Sequence, residues 1–164
     1  MAKILLILGF PAKRCVMKQL IVLSIFVFGV TAAYAQKSFK ATDLVGDWLV
    51  SEKTAVITFF RDGDKFYGMT SWMKRPNDEN GNPRTDVKNP DPAKRSQKLL
   101  GALLCKNFVY DGDGVWKDGT IYDSRSGKTY NCKITMKDIN TISLRGYIGI
   151  SLIGGSAIFT RKEK

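Results

Sequence analysis

The sequence predicts an all-β domain, a small antiparallel up-and-down barrel of about eight strands, preceded by a signal peptide. Three observations carry this expectation. After Gln36, short runs rich in β-branched and aromatic residues recur, and turn signals built from Asp, Asn, Ser or Gly close most of them. The links are mostly too short to cross over, so consecutive strands must be antiparallel neighbours. About eight such strands suffice to close a sheet on itself and remove its exposed edges.

From Met17 the chain reads MKQLIVLSIFVFGVTAAYAQ: a lysine, an apolar run from Leu20 to Val30, then Ala33-Tyr34-Ala35 before Gln36. That order is the charged, apolar and A-x-A succession of a secretory leader. The run is shorter than the roughly 20 apolar residues a membrane helix needs. Residues 1–35 are therefore expected to be a removed signal peptide, with 36–164 a single exported domain. Met17 is an alternative start, because the segment before it adds a second short apolar patch and Lys3, Lys13 and Arg14.

Charge narrows the partners. The chain holds 26 Lys and Arg against 15 Asp and Glu, a net +11. Losing Lys3, Lys13, Arg14 and Lys18 with the leader leaves an excess of seven basic residues. Such a balance favours anionic partners, but the lysines are scattered and no aromatic-glycine RNA-binding motif occurs, which argues against nucleic acid.

The strands are read in order. LVGDWLVSEK gives the first, and TAVITFFR and KFYGMTSWM flank the Asp62-Gly63-Asp64 hairpin signal. A polar stretch from Lys74 to Lys98 follows, the only long link in the domain. CKNFVY then ends at Asp111-Gly112-Asp113-Gly114, VWKDGTIYD at Ser124-Arg125-Ser126-Gly127, and KTYNCKITM at Lys137-Asp138-Ile139-Asn140. TISLRGY and SAIFTRK, separated by the glycine-rich IGISLIGG, complete the set.

Period-two alternation assigns the faces. It places Tyr130, Cys132, Ile134 and Met136 inside, with Ile142 and Leu144, and leaves Arg145 and Tyr147 on the other face. In CKNFVY it turns Phe108 and Tyr110 inward and Cys105 outward. Cys105 and Cys132 would then face opposite ways, two strand spacings or about 10 Å apart, which argues against the disulfide that export would otherwise favour. Val56, Phe60, Phe66 and Phe159 are added to the interior. Phe60, Phe66, Phe108, Tyr110, Tyr130, Met136 and Leu144 are thus the candidate ligand-lining residues if the barrel is hollow, and plain filling if it is not.

The long link contains DVKNPDPAKRSQ. Its prolines hold Asn89 and Asp91 extended, so an ordered flap near one barrel mouth is expected. Arg145, Tyr122 and Asp123 are candidates for the same mouth, where Arg145 would pair with Asp123 or Asp91.

Several functions are excluded or left without support. The chain has no histidine, which removes Ser-His and Cys-His catalysis and His-based zinc sites. Neither Asp-Gly-Asp run is followed by the bidentate Glu of a calcium loop. No metal, no cofactor and no enzymatic activity are expected.

Gly46-Asp47-Trp48 in the first strand and Arg161 in the last are similar to the G-x-W and terminal arginine that meet where lipocalin and calycin barrels close. A guanidinium stacked on an indole is the contact expected there. The ordered set NPDP, LLG, DGDGVW, IYDSRSGKTY, LRGYIGISL and FTR, with Gly46, Trp48 and RDGDKFYG, resembles the bacterial exported family of domain of unknown function 2147. That resemblance covers essentially the whole of 36–164 and implies a lipocalin-like barrel, Trp48 and Arg161 as its closure, and no particular activity. The chain departs from the family at Gly155, where relatives carry an arginine. Two functions fit: an exported protein, periplasmic or extracellular in a bacterium, that binds a small apolar or amphipathic ligand, or a non-catalytic envelope module with a filled barrel whose flap meets a partner.

Overall fold

Each strand-like run of the sequence becomes one strand of a computed structural model that describes residues 38–149 and 154–163. The expected leader lies outside the described residues. The strands are β1 (Gly46–Val50), β2 (Ala55–Asp62), β3 (Lys65–Met73), β4 (Leu103–Tyr110), β5 (Val115–Asp123), β6 (Lys128–Asp138), β7 (Thr141–Tyr147) and β8 (Gly154–Arg161). Every strand pairs antiparallel with the next, and β1 pairs with β8 to close the barrel.

Up-and-down order gives the barrel two unlike ends. One end holds the β2–β3, β4–β5 and β6–β7 turns and the segment before β1, which makes a 3-10 turn over Ala41–Leu44. The other end holds the β1–β2 turn, the flap of residues 74–102, the β5–β6 hairpin and the β7–β8 link. The first is called the closed end below, and the second the mouth.

The core is one cluster. Trp48, Phe59, Phe108, Trp116, Cys132, Ile134 and Ile142 have no exposed surface, and Phe66, Cys105 and Leu144 have almost none. Burying aromatic side chains of this size is worth on the order of 2–3 kcal/mol each. This cluster, not strand propensity, is what makes the closed sheet stable.

Three assigned faces are corrected, all by local register. In β2, Ile57 lies opposite Trp48 and Phe59 opposite Gly46, so Ile57 and Phe59 point inward and Phe60 points out. Phe60 stacks there on Tyr67, with centroids 5.8 Å apart. Val56 shares the outer face beside Leu49 and Trp72 and is buried under neighbours on the barrel wall. The run AVITFF is apolar at both parities, so alternation had nothing to decide on.

Cys105 is the third correction. Lys106 and Asn107 together face Tyr67 across the ladder, and Asn107 takes φ 62°, the left-handed conformation of a bulge. The extra residue turns both Cys105 and Phe108 inward despite their odd spacing. Asp118, φ 59°, does the same in β5, so Trp116 meets Ile134 while Gly119 meets Cys132. Cys105 and Cys132 therefore share the interior on either side of β5, and both are free thiols. Burial pushes the Cys132 thiol up to about 12 and holds that of Cys105 well above its usual value.

Candidate functional site

The closed end is sealed by the residues that the sequence assigned to closure. Trp48 and Arg161 are direct partners across β1 and β8, and the guanidinium lies 4.3 Å from the indole centre. Arg161 Nε donates to the Ile139 carbonyl at 2.9 Å, Nη1 to Val45 at 3.2 Å and Nη2 to Asp43 at 2.6 Å. Trp48 Nε1 donates to the Leu44 carbonyl at 2.8 Å. Only the planar fork of an arginine can reach three backbone carbonyls while stacking on a ring. Beside this clasp, Phe39 packs on Gly114, and the Tyr110 hydroxyl donates to the Phe39 carbonyl.

Most of the expected lining residues lie in this filled half. Phe66 meets Trp116 edge to face at 6.2 Å and Tyr110 leans on the same indole at 5.1 Å. Phe108, Met136 and Leu144 are buried around them. Phe108 lies against the bare backbone of Gly119, where a Cβ would sit inside the ring's van der Waals surface. Trp116 was not singled out by its sequence. It is fully buried, and its indole N–H finds no acceptor among the described residues.

Toward the mouth the interior changes. Leu144 pairs with Ala157, and the next inward step pairs Gly146 with Gly155. Gly146 also faces Cys132, and a Cβ built on it would stand 3.6 Å from Ile121 and Tyr130. A Cβ on Gly155 would meet nothing within 4 Å. Ile121 and Tyr130, partners across β5 and β6, are half-buried, Ile121 opposite Cys105 and Tyr130 one inward step from Cys132 toward the mouth. Of the expected lining residues, Tyr130 is the one that reaches this unfilled rim. Ile121, Gly146 and Gly155 were missed as lining. A paired-glycine window depends on cross-strand register, which the sequence does not display.

The flap stands beside this rim and is built as expected, with one addition. Asn89 Oδ1 accepts from the Asp91 amide at 3.0 Å, Asp91 Oδ1 accepts from the Ala93 amide at 3.0 Å, and Arg95 Nε donates to the Asn89 carbonyl at 2.9 Å. Lys94 pairs with Asp91 at 3.0 Å, and this bond is the main cause that holds the exposed Asp91 carboxyl below its usual value. The added residue is Asp86, buried to 6% exposure. Its carboxylate accepts from the Tyr122 hydroxyl at 2.8 Å and from Asn89 Nδ2 at 2.7 Å. Burial, then the bond to Asp86, pushes the Tyr122 phenol up to about 12.

Because Ile121 faces inward, Tyr122 lies on the outer wall, and the flap is clamped to the outside of the β5–β6 hairpin. At its tip Gly127, φ 71°, has the Lys88 carbonyl where a Cβ would be. Only glycine fits that position. The acids expected to pair with Arg145 are held elsewhere: Asp123 by Arg125 and Ser126, and Asp91 by Lys94. Arg145 stands on the outer face, donating to Ser156 at 3.2 Å. Among the described residues no group of three Cys, Asp or Glu side chains gathers as a metal site.

Comparison with known proteins agrees with this architecture. A search of the curated proteins finds no match. A solved structure, described as "Protein HP1028 from the human pathogen Helicobacter pylori belongs to the lipocalin family", is similar with a TM-score of 0.63 at 20% identity, covering 73% of this chain and 83% of that one. At that identity the likeness is one of fold, an eight-stranded lipocalin-like barrel. The family model described as "Uncharacterized protein conserved in bacteria (DUF2147)" matches residues 46–161, from the Gly46 that begins β1 to the Arg161 that ends β8. By that match the chain belongs to the DUF2147 family.

Proposed function

We propose that this protein is an exported, non-catalytic binder of a small apolar or amphipathic ligand, held in the mouth half of the barrel. The observation that carries the reading is the inward Gly146–Gly155 pair, with open space at Gly155 and half-buried Ile121 and Tyr130 beside it. Side chains fill the lower half, so the ligand is short and enters only partway. Apolar walls with a few polar groups are the usual make-up of such sites.

The test uses protein purified after expression of the full chain. A fluorescent fatty-acid probe should be taken up saturably, and Gly155→Leu, whose Cβ enters open space, should weaken uptake at least ~10-fold at unchanged melting temperature. Uptake that is absent, or indifferent to Gly155→Leu, would sink the proposal and leave a filled-barrel envelope module.

A further inference from the structure

The two ends of the barrel differ in charge and in exposed apolar surface. The flap, residues 74–102, carries seven Lys and Arg against four acids. One of those acids, Asp86, is buried on Tyr122 and Asn89. The closed end, residues 38–45, 62–65, 111–114, 137–140 and 161–163, carries seven acids against five Lys and Arg. Among the described residues the barrel is therefore polarised in charge along its axis, with the mouth end the more positive.

The two most exposed large apolar residues lie at the same end, with two more beside them in the flap and β4, whereas the closed end exposes Val45 at 39% and Ile139 at 45%. Val87 is 67% exposed, Leu100 45%, Leu103 38% and Ile148 67%. They come from the flap, the start of β4 and the residue after β7. Lys74, Lys88 and Lys98, all exposed, belong to the same flap as Val87 and Leu100. Exposed apolar and basic side chains at one end match a bilayer surface, where apolar groups enter the headgroup boundary and basic groups meet anionic lipid within a Debye length.

From this combination we propose that the mouth end docks on an anionic lipid bilayer, with Val87, Leu100 and Ile148 entering the headgroup layer. This stands whether or not the barrel holds a ligand. If it does, docking brings its opening against a store of amphipathic molecules.

The experiment is vesicle co-sedimentation with protein expressed from the full chain, every variant being compared with its parent. Vesicles of phosphatidylcholine with 30% phosphatidylglycerol should bind at least ~10-fold more tightly than phosphatidylcholine alone. Lys74→Glu, Lys88→Glu and Lys98→Glu together should weaken binding on the order of 10-fold. Lys106→Glu, Lys133→Glu and Lys137→Glu, an equal charge change on the wall and at the closed end, should leave it intact. Val87→Ser with Ile148→Ser should weaken it without altering the melting curve. Equal binding to both lipids, or equal loss in both charge-reversed triples, would overturn the proposal. So would a soluble polyphosphate that binds as tightly while the serine variants are silent, or a dimer that forms through the same residues.

Discussion

Gly119 illustrates what a single residue settles in this barrel. Lys117-Asp118-Gly119 reads as a turn, yet it lies mid-strand, where Asp118 bulges the ladder and Gly119 lets the Phe108 ring lie on bare backbone. A methyl group there has no free volume to enter, so Gly119→Ala should cost about 1–3 kcal/mol by overpacking, measured as a fall in the urea midpoint at unchanged slope. An equal midpoint would mean that Phe108 has room to move. At this scale the sequence was legible where one residue type alone fits a role, as with Trp48 and Arg161. It was not legible for Phe59 against Phe60, because adjacent phenylalanines offer the same chemistry to either face. Nor was it legible for Cys105, where the positive φ of Asn107 shifts the phase without leaving a pattern. Trp116 belongs here too. Among the described residues its buried N–H has no acceptor, and nothing in its neighbours along the chain announces that.

Among the elements, the flap depends on one buried carboxylate. Tyr122→Phe leaves Asp86 with Asn89 as its remaining side-chain donor among the described residues, and loss of a bond to a charged group costs roughly 1.5–3 kcal/mol. Amides of residues 85–99 should then exchange at least ~10-fold faster, while those of β6 and β7 keep their protection; uniform protection would show that the clamp is idle. The phenol also sets a pH window. Its folded value of about 12 lies above the ordinary 10.0, so the neutral form is the one the fold favours. That contribution is complete below pH 10 and disappears as pH rises toward 12. The buried thiols lose stability in an overlapping alkaline range, so the test is the difference between the parent and Tyr122→Phe. The parent should lose more stability between pH 10 and 12, and equal losses would contradict the assignment. An ordered loop beside the mouth could be read from its prolines and its length. Its anchor could not, since Asp86 looks in sequence like any acid of a polar run, and attachment to the outer wall depends on the face that Tyr122 inherits from Ile121.

For the whole molecule, strand number and neighbour order were legible because each tight turn forces its two strands together, and seven of the eight pairings are of consecutive strands. The eighth, β1 with β8, was indicated by the resemblance of Trp48 and Arg161 to the lipocalin closure. What the sequence concealed was the uneven filling, aromatic below and glycine-lined above, because that requires knowing which residues share a level around the barrel. The β1–β8 pairing has one more consequence. Because β1 and β8 are antiparallel neighbours, the backbone enters β1 and leaves β8 at the same end, where Arg161 ties Asp43, Val45 and Ile139 together. Joining Lys162 to Ser38 through a short glycine-serine linker and reopening the chain at the exposed Gly81 should give a circular permutant that still folds and melts cooperatively. Reopening between Gly112 and Asp113, beside the Phe39 plug, should cost more stability, and thermal melting of the two permutants would rank them. In that sense the barrel is a ring with no first strand, and its termini mark only where the ring happens to be cut.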